Sequence, residues 1–502
     1  MKKAVCFNTS KGNKYLYSPF KNQVLLCHPL IGHLFELDAS GVNLKQHVTA
    51  FKVSRIYELP EYGSFPYKEL VYQLNKYRFL KRNHFFQIPA KINLNGRLHP
   101  SRIAQNISRI QQVIFETTED CNLSCTYCTF SKFYINKDRG KRKFNPTDAR
   151  KALDHLIALR DPDSKQFIIS FYGGEPLKNI KFIREIVDYV SASYGDRFEF
   201  KFTMSSNGLL LSKYADFLSS HNFEVSVSLD GDETGNSFRV LPNNKSSYDL
   251  VIKNLDFVKE HYPGYFDKCI SFLTVLHNKN SFSAVHDFFK GKYGKTTSSS
   301  MISTLNINEE HKGEFQKTFL DGSCNNDREQ SVMQELFLNH PGVKELANIL
   351  EKYTGFIFKN HFQIITKTNN NGGNREFVPT ATCSPFSMRV FLTADGCIVP
   401  CEHISRVFEI GQLKNNEIHI SNDSIAEMFN QCFDKIRSLC NRCFLANNCK
   451  ECIFNTRIET DNPVCDYFMD ENKFKHYLAK NFDLIEQNFP LYRRVIKDAF
   501  NE

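Results

Sequence analysis

From about residue 110 to 300, short apolar runs alternate with longer stretches whose apolar positions recur at helical spacing. The runs at 113–116, 166–172, 199–204, 224–229 and 269–276 read as strands, and 146–160, 179–190, 212–220 and 248–261 read as helices between them. Such alternation predicts an α/β fold with a parallel sheet covered by helices, and it places functional groups at the C-terminal ends of the strands. Upstream, Lys14-Tyr15-Leu16-Tyr17 and Gln23-Val24-Leu25-Leu26 flank Ser18-Pro19-Phe20-Lys21-Asn22 as a hairpin would. Residues 29–37 are apolar and helix-like. Residues 67–81 repeat Leu70, Val71, Leu74, Tyr77 and Leu80 at close to a helical period. Downstream, 296–300 and 369–374 read as loop or linker. Residues 470–502 form an amphipathic pattern with Phe474, Tyr477, Leu478, Phe482, Leu484 and Ile485, for which core packing is the expected role.

A chain of 502 residues predicts two or three domains. No apolar run approaches the 18 or more residues of a membrane span, and the basic start Met1-Lys2-Lys3 lacks the apolar core of a signal peptide. A cytoplasmic location is therefore expected, where sixteen cysteines argue for metal binding over disulfides. Basic residues outnumber acidic ones by 64 to 55, a net charge of +9, without the dense Lys/Arg tract expected of nucleic-acid binding. The most basic segment, 132–143, reads as a solvated loop.

The cysteines carry the chemistry. Cys121-Asn122-Leu123-Ser124-Cys125-Thr126-Tyr127-Cys128 sets three thiols in C-x3-C-x2-C spacing directly after the first predicted strand. Thiolates bind soft metals and iron–sulfur clusters, and clusters usually take four cysteines. Three in one loop leave one iron of a cubane free. Zinc is the competing reading, but it normally closes with a fourth ligand, and none lies nearby. The spacing, with Tyr127 before the last cysteine, resembles the radical S-adenosylmethionine (radical SAM) enzymes. That resemblance implies a partial (β/α)6 barrel. It also implies a [4Fe–4S] cluster on Cys121, Cys125 and Cys128, with SAM chelating the open iron and yielding a 5′-deoxyadenosyl radical.

Further segments follow the resemblance in order. Tyr172-Gly173-Gly174-Glu175-Pro176 comes after the second strand, where glycines allow close backbone approach and a carboxylate can take an ammonium. It looks like the family's GGEP segment, which implies SAM binding by Gly173, Gly174, Glu175 and Pro176. Ser206 and Asn207 follow the third strand. Ser228 and Asp230 follow the fourth, on one face, and Arg239 matches a recurrent arginine. By the resemblance these positions contact the SAM ribose and carboxylate.

A second group starts at Cys383, with Gly396 and then Cys401, and continues as Cys440-x2-Cys443-x5-Cys449-x2-Cys452 before Cys465. A zinc ribbon is the competing reading of the close pairs. The layout resembles the SPASM extension of peptide-modifying radical SAM enzymes, although the last close pair has two intervening residues where three are usual. The resemblance implies two auxiliary [4Fe–4S] clusters, an outer one on Cys440, Cys443, Cys449 and Cys465 and an inner one using Cys383, Cys401 and Cys452. The fourth inner ligand is either an open site for a substrate thiolate or Cys397, which lies about 13 Å from Cys401 along an extended strand. Cys432 is a spare, Cys324 an incidental thiol, and Cys6 and Cys27 small buried hydrophobes. Glu402, after Cys401, matches an acidic position that serves as a general base in some members, with His403 as its partner; a surface polar pair is the competing reading.

The expected organisation is an N-terminal α+β lobe over 1–105, a radical SAM barrel over 106–300, an insertion over 301–380, a cysteine-rich SPASM domain over 381–470 and a C-terminal helix over 471–502. The lobe resembles the winged-helix elements that read leader peptides; its alternative is a lobe that only packs on the barrel. The resemblance implies an oxidoreductase that matures a ribosomally made precursor peptide, leader plus core, drawing electrons from a flavodoxin or ferredoxin. A cross-link is the expected product, thioether first, carbon–carbon or carbon–oxygen second. Anaerobic sulfatase maturation is the close alternative, and a non-catalytic metal-binding peptide adaptor the remote one.

Overall fold

Alternating aromatic and aliphatic residues near the N-terminus build a three-stranded antiparallel sheet: β1 (Val5–Asn8), β2 (Lys14–Ser18) and β3 (Gln23–Leu26), in that order, so the expected hairpin is β2–β3. The computed structural model describes residues 4–487 apart from 22, 61, 88–92, 136–139, 162, 305, 322–375, 415–416, 447–448, 450 and 459–461. The helices Pro29–Ala39, Leu44–Ala50 and Tyr67–Arg82 follow, with a hairpin of β4 (Ile56–Leu59) and β5 (Gly63–Pro66) before the last. One sheet face packs Leu16 and Cys27 against Leu30, Leu34, Leu70 and Leu74. The other face, with Val5, Phe7 and Tyr17, is covered by Phe474, Leu478 and Phe482 of the helix Glu471–Gln487. The tail therefore packs as its pattern predicts, and its partner is the opposite end of the chain.

The alternating region forms six parallel strands in chain order: β6 (Gln112–Thr118), β7 (Gln166–Gly173), β8 (Glu199–Ser206), β9 (Glu224–Ser228), β10 (Ile270–Leu276) and β11 (Ser298–Met301). The helices Pro146–Ala158, Ile180–Tyr194, Ala215–Ser220, Tyr248–His261 and Phe282–Tyr293 connect them. Local chemistry sets their limits. Asn145 caps the first of these helices ahead of a proline, and Ser281 caps the last, which ends at left-handed Gly294. Phe115, Phe167, Phe171, Val225 and Phe272 fill the core between strands and helices.

Two expectations need correction. The run at 296–300 is not a loop: it enters the sixth parallel strand, paired with β10 from Leu273↔Ser298 onward. Its buried Thr297 hydroxyl lies 2.9 Å from that of Thr274, so hydrogen bonds fill a place where apolar residues would have announced a strand. Cys269 ends the short helix Pro263–Cys269, and its strand begins one residue later.

Beyond β6 the same sheet continues with β12 (Arg389–Leu392), parallel to β6, and then antiparallel β13 (Cys397–Val399), β14 (Gly411–Lys414) and β15 (Glu417–His419). The helix Asn422–Cys440 adds Phe429, Phe433 and Ile436 to the barrel core. The helix Pro100–Ser108, with Ile103 and Ile107 in that core, spans the expected boundary at 105. Cys324, the run at 369–374, most of the expected insertion and residues 488–502 lie outside the described residues, as does the side chain of Leu484. No helix among the described residues is long and apolar enough to cross a membrane.

Candidate active site

The Cys121–Cys128 loop leaves β6 and is pinned from three directions. Its backbone pairs with the segment after β9, through Ser124 N to Val240 O at 2.7 Å and Thr126 N to Phe238 O at 2.9 Å. Asp120 is salt-bridged to Lys178. Tyr127, buried, donates its hydroxyl to the carboxylate of Asp230. Burial pushes the Cys125 thiol up to about 11, Arg239 opposes it, and the thiols of Cys128 and Cys121 reinforce it. The three thiols thus share one small region.

The glycine segment lies against the stem of this loop. Gly174 N donates to Thr118 O at 2.8 Å and Glu175 N to Asp120 O at 2.9 Å. Gly173 has φ +128°, and a Cβ there would collide with the Thr118 carbonyl oxygen. Pro176 opens a buried turn, Pro176–Asn179. Glu175, 1% exposed, accepts from Asn207 N at 2.8 Å, Ser206 Oγ at 2.9 Å and Leu177 N at 3.2 Å. Burial lifts its carboxyl to about 7 against these bonds. Glu175 therefore braces the β8 loop from behind, and the glycine backbone makes the close approach. Asn207 reaches back to the cysteine loop, with Nδ2 2.8 Å from Asn122 Oδ1 and 3.7 Å from Cys121 Sγ.

Ser228 ends β9 half-buried, and Asp230 lies fully buried beyond it. Asp230 takes a two-point contact from Arg239, Nε at 2.9 Å and Nη2 at 3.3 Å, and accepts from Val275 N at 2.9 Å. Burial pulls the Arg239 guanidinium down, but Asp230 outweighs it and holds the group well above its usual range. The two residues expected to face a ligand thus face each other and together anchor Tyr127.

The later cysteines lie in two neighbourhoods. Burial raises Cys440 to about 12, and Cys449, Cys443 and Cys465 raise it further, so these four are neighbours. Cys401 is raised to about 11 by burial, with Glu402 and Cys452 adding to it; Cys452 in turn feels Cys383. Cys397 stands apart: its thiol lies 3.4 Å from Glu409 Oε2, and its charged neighbours are Glu409, Asp395 and Arg406. Cys432 is buried inside the helix Asn422–Cys440. Among the described residues no three His, Cys, Asp or Glu side chains converge as they do around a single ion. A cubane holds its thiolates at separate corners, so that geometry is not the test of a cluster. All-thiolate sets of three and four remain the donor chemistry that iron–sulfur clusters take.

Glu402 follows Cys401, with its side chain 12% exposed. Arg389 Nη1 holds Oε1 at 2.9 Å, and exposed His403 lies 3.6 Å from the same oxygen. Oε2 is buried with no hydrogen-bond partner among the described residues. Tyr172, which sequence reasoning passed over, is raised to about 12 by burial and then by Glu402, Cys128 and Glu116. Its phenol therefore lies in the field of both the first cysteine loop and Glu402, which brings these two sites near each other. Arg389 and Tyr172 carry no motif of their own. Only their adjacency to Cys401 and to the glycine pair could have pointed to them.

Residues 115–289 match the radical SAM superfamily. This stretch has the radical SAM α/β fold. The chain is 27% identical over 190 residues to a cysteine-type anaerobic sulfatase-maturating enzyme of Clostridium novyi, a match covering 36% of this chain and 48% of that protein. It is 26% identical over 189 residues to the radical SAM cyclopropyl synthase TigE of Paramaledivibacter caminithermalis, covering 36% and 38%. The chain thus spans half or less of the length of these curated relatives. Among solved structures, anSMEcpe with bound AdoMet superposes with a TM-score of 0.52 at 19% identity, covering 78% of this chain and all of that one. That likeness is one of fold, and it reaches well beyond the radical SAM domain. The radical SAM family binds SAM and a [4Fe–4S] cluster.

Proposed function

We propose that this chain is a radical SAM peptide maturase that removes hydrogen from a ribosomally made precursor peptide and installs a cross-link, thioether first and carbon–carbon or carbon–oxygen second. The observation that carries it is Glu402: a buried carboxylate oxygen without a partner among the described residues, one residue past Cys401 and sharing Tyr172 as a neighbour with Cys128. In this reading Cys121, Cys125 and Cys128 hold the SAM-binding cluster. Cys440, Cys443, Cys449 and Cys465 hold the outer auxiliary cluster, and Cys383, Cys401 and Cys452 the inner one, with one inner position open to a substrate thiolate. SAM held there would supply the radical chemistry that removes the substrate hydrogen.

The chain's own residues do the rest. The Gly173-Gly174 backbone lets SAM approach closely, and Glu175 fixes Ser206 and Asn207 beside Cys121. Ser228 stands at the end of β9 toward the same ligand, while Asp230 and Arg239 fix the loop through Tyr127. A cross-link costs the peptide two hydrogens: one leaves as an atom, the other as a proton that Glu402 Oε2 would accept and an electron that an auxiliary cluster held by the later cysteines would take up. The leader would add to the free edge of β3: Cys27 N donates to Lys14 O, so alternation turns the Val24 and Leu26 amides outward. A cytoplasmic flavodoxin or ferredoxin would supply electrons.

Likeness to sulfatase-maturating enzymes favours a second reading, oxidation of a cysteine or serine to formylglycine. One experiment separates the two. The anaerobically reconstituted chain is incubated with SAM, dithionite and the peptide encoded by a short neighbouring gene, or with a sulfatase-derived peptide, and the products are read by mass spectrometry. Cross-linking removes two hydrogens and leaves both residues joined after proteolysis. Formylglycine formation from cysteine loses sulfur and leaves a hydrazine-reactive carbonyl, which would overturn the first reading. Glu402→Gln should still cleave SAM while cutting modified peptide at least roughly a hundredfold, the low end of the usual range for losing a general base. Unimpaired turnover by that variant would remove Glu402 from the mechanism.

A further inference from the structure

Away from the cysteines, five charged side chains from four segments meet at one place. Glu116 lies buried near the end of β6, and Glu119 follows the strand, two residues before Cys121. Arg142 comes from the loop ahead of the helix Pro146–Ala158, and Asp395 from the turn between β12 and β13. Arg406 opens the turn Arg406–Phe408, five residues past Cys401. Arg406 Nη2 lies 3.0 Å from Glu116 Oε2 and 2.9 Å from Glu119 Oε1, while Nη1 lies 2.9 Å from Asp395 Oδ2. Arg142 closes the set, 2.7 Å from Glu119 and 3.2 Å from Asp395. Ala394 N adds a 2.9 Å bond to Glu116 Oε2.

We propose that Arg406 is a positioning residue that locks the Cys401–Glu402 segment in one register against the Cys121 loop. The inference rests on the roles assigned above to those two segments.

The chemistry of the cluster supports this over plain stabilisation. Glu116 and Glu119 are 7% and 5% exposed, and burying two carboxylates side by side is costly. Apolar residues of similar size would hold two layers together at least as well. What the charges add is direction. A guanidinium offers a planar fork of donors, and only one placement lets it meet three carboxylates from two sides at about 3 Å. The geometry is also directed along the chain: from Glu119 the backbone runs directly into Cys121, and back from Arg406 it runs to Glu402 and Cys401. The Cys121 loop keeps its own bonds to Val240, Phe238 and Asn207, so losing Arg406 should move the Glu402 side and leave the radical-forming side in place.

The test uses the full reconstituted chain and Arg406→Gln, Arg406→Lys and Asp395→Asn variants, with iron content checked first. Hydrogen exchange over 394–404 should rise at least tenfold in Arg406→Gln while β7 stays protected. SAM cleavage with dithionite and no peptide should stay within twofold. With the neighbouring-gene peptide as probe, deoxyadenosine released per modified peptide should rise at least fivefold. Arg406→Lys keeps the charge without the fork and should recover less than half of the protection; Asp395→Asn should show a smaller shift in the same direction. Exchange over 394–404 unchanged, loosening spread equally through β7, SAM cleavage lost together with product, or full rescue by lysine would each overturn the proposal. If the unaltered chain modifies no peptide, the proposed function fails by itself, and the exchange and SAM arms still decide the role of Arg406.

Discussion

Glu175 shows how a residue can be central to a site without pointing into it. Its three hydrogen-bond donors favour the ionised form, but burial prevails and lifts its carboxyl to about 7. A group raised in the folded state stabilises fully below its unfolded value, and that contribution is lost as pH rises through the folded value. Without iron or SAM, the fold should lose on the order of 3 kcal/mol from this one group between about pH 4.5 and 7. Glu175→Gln should flatten that slope. Denaturant melts of both proteins at about pH 5 and pH 8 measure it, and an equal slope in the variant would contradict the assignment. The same reasoning explains why Asp230 and Arg239 are matched to each other: an unpaired charge at either position would be buried without a partner.

At the scale of elements, the N-terminal sheet and the C-terminal helix are one unit. Phe7 and Phe482 rings lie 5.5 Å apart, Tyr15 and Phe482 4.8 Å, and Tyr17 and Phe474 5.3 Å. Ser10 and Tyr15 also bond to Asp483 and Glu486 of that helix. Removing residues 1–99 alone would therefore strip the cover from Phe474, Leu478 and Phe482, leaving an apolar stripe that invites aggregation. The expected outcome is a truncated chain that elutes as aggregate in size-exclusion chromatography, and a doubly truncated chain, also lacking 471–502, that elutes as a monomer-sized species. Only the double truncation separates peptide recognition from folding, and it should keep SAM cleavage by the barrel without peptide.

At the scale of the whole molecule, one ten-stranded sheet runs from β11 through the barrel into β15, so both groups of cysteines hang from one framework. If the three cysteine sets each take a [4Fe–4S] cluster, anaerobic reconstitution should give about twelve irons per chain. Replacing Cys121, Cys125 and Cys128 together by alanine should remove about a third of the iron and all deoxyadenosine production. Iron analysis with product chromatography checks both, and deoxyadenosine formed by the triple variant would sink the role given to that loop.

The amino-acid sequence determined what is local. Three thiols within eight residues share a loop wherever it folds, and alternation of apolar runs commits β6 to β10 and their helices, because periodicity reports which face is buried. Tertiary structure decided what depends on distant segments meeting. β11 was hidden because its buried position is a serine, Ser299, and Thr297 just ahead of it bonds Thr274 on the neighbouring strand, a pairing that no periodicity records. Arg239 carries no mark that its partner would be Asp230, nor Arg406 that Glu116 and Glu119 would face it across 290 and 287 positions of chain. The Arg406 contacts depend on the register in which β12 joins β6, and register is fixed by the packing of whole layers.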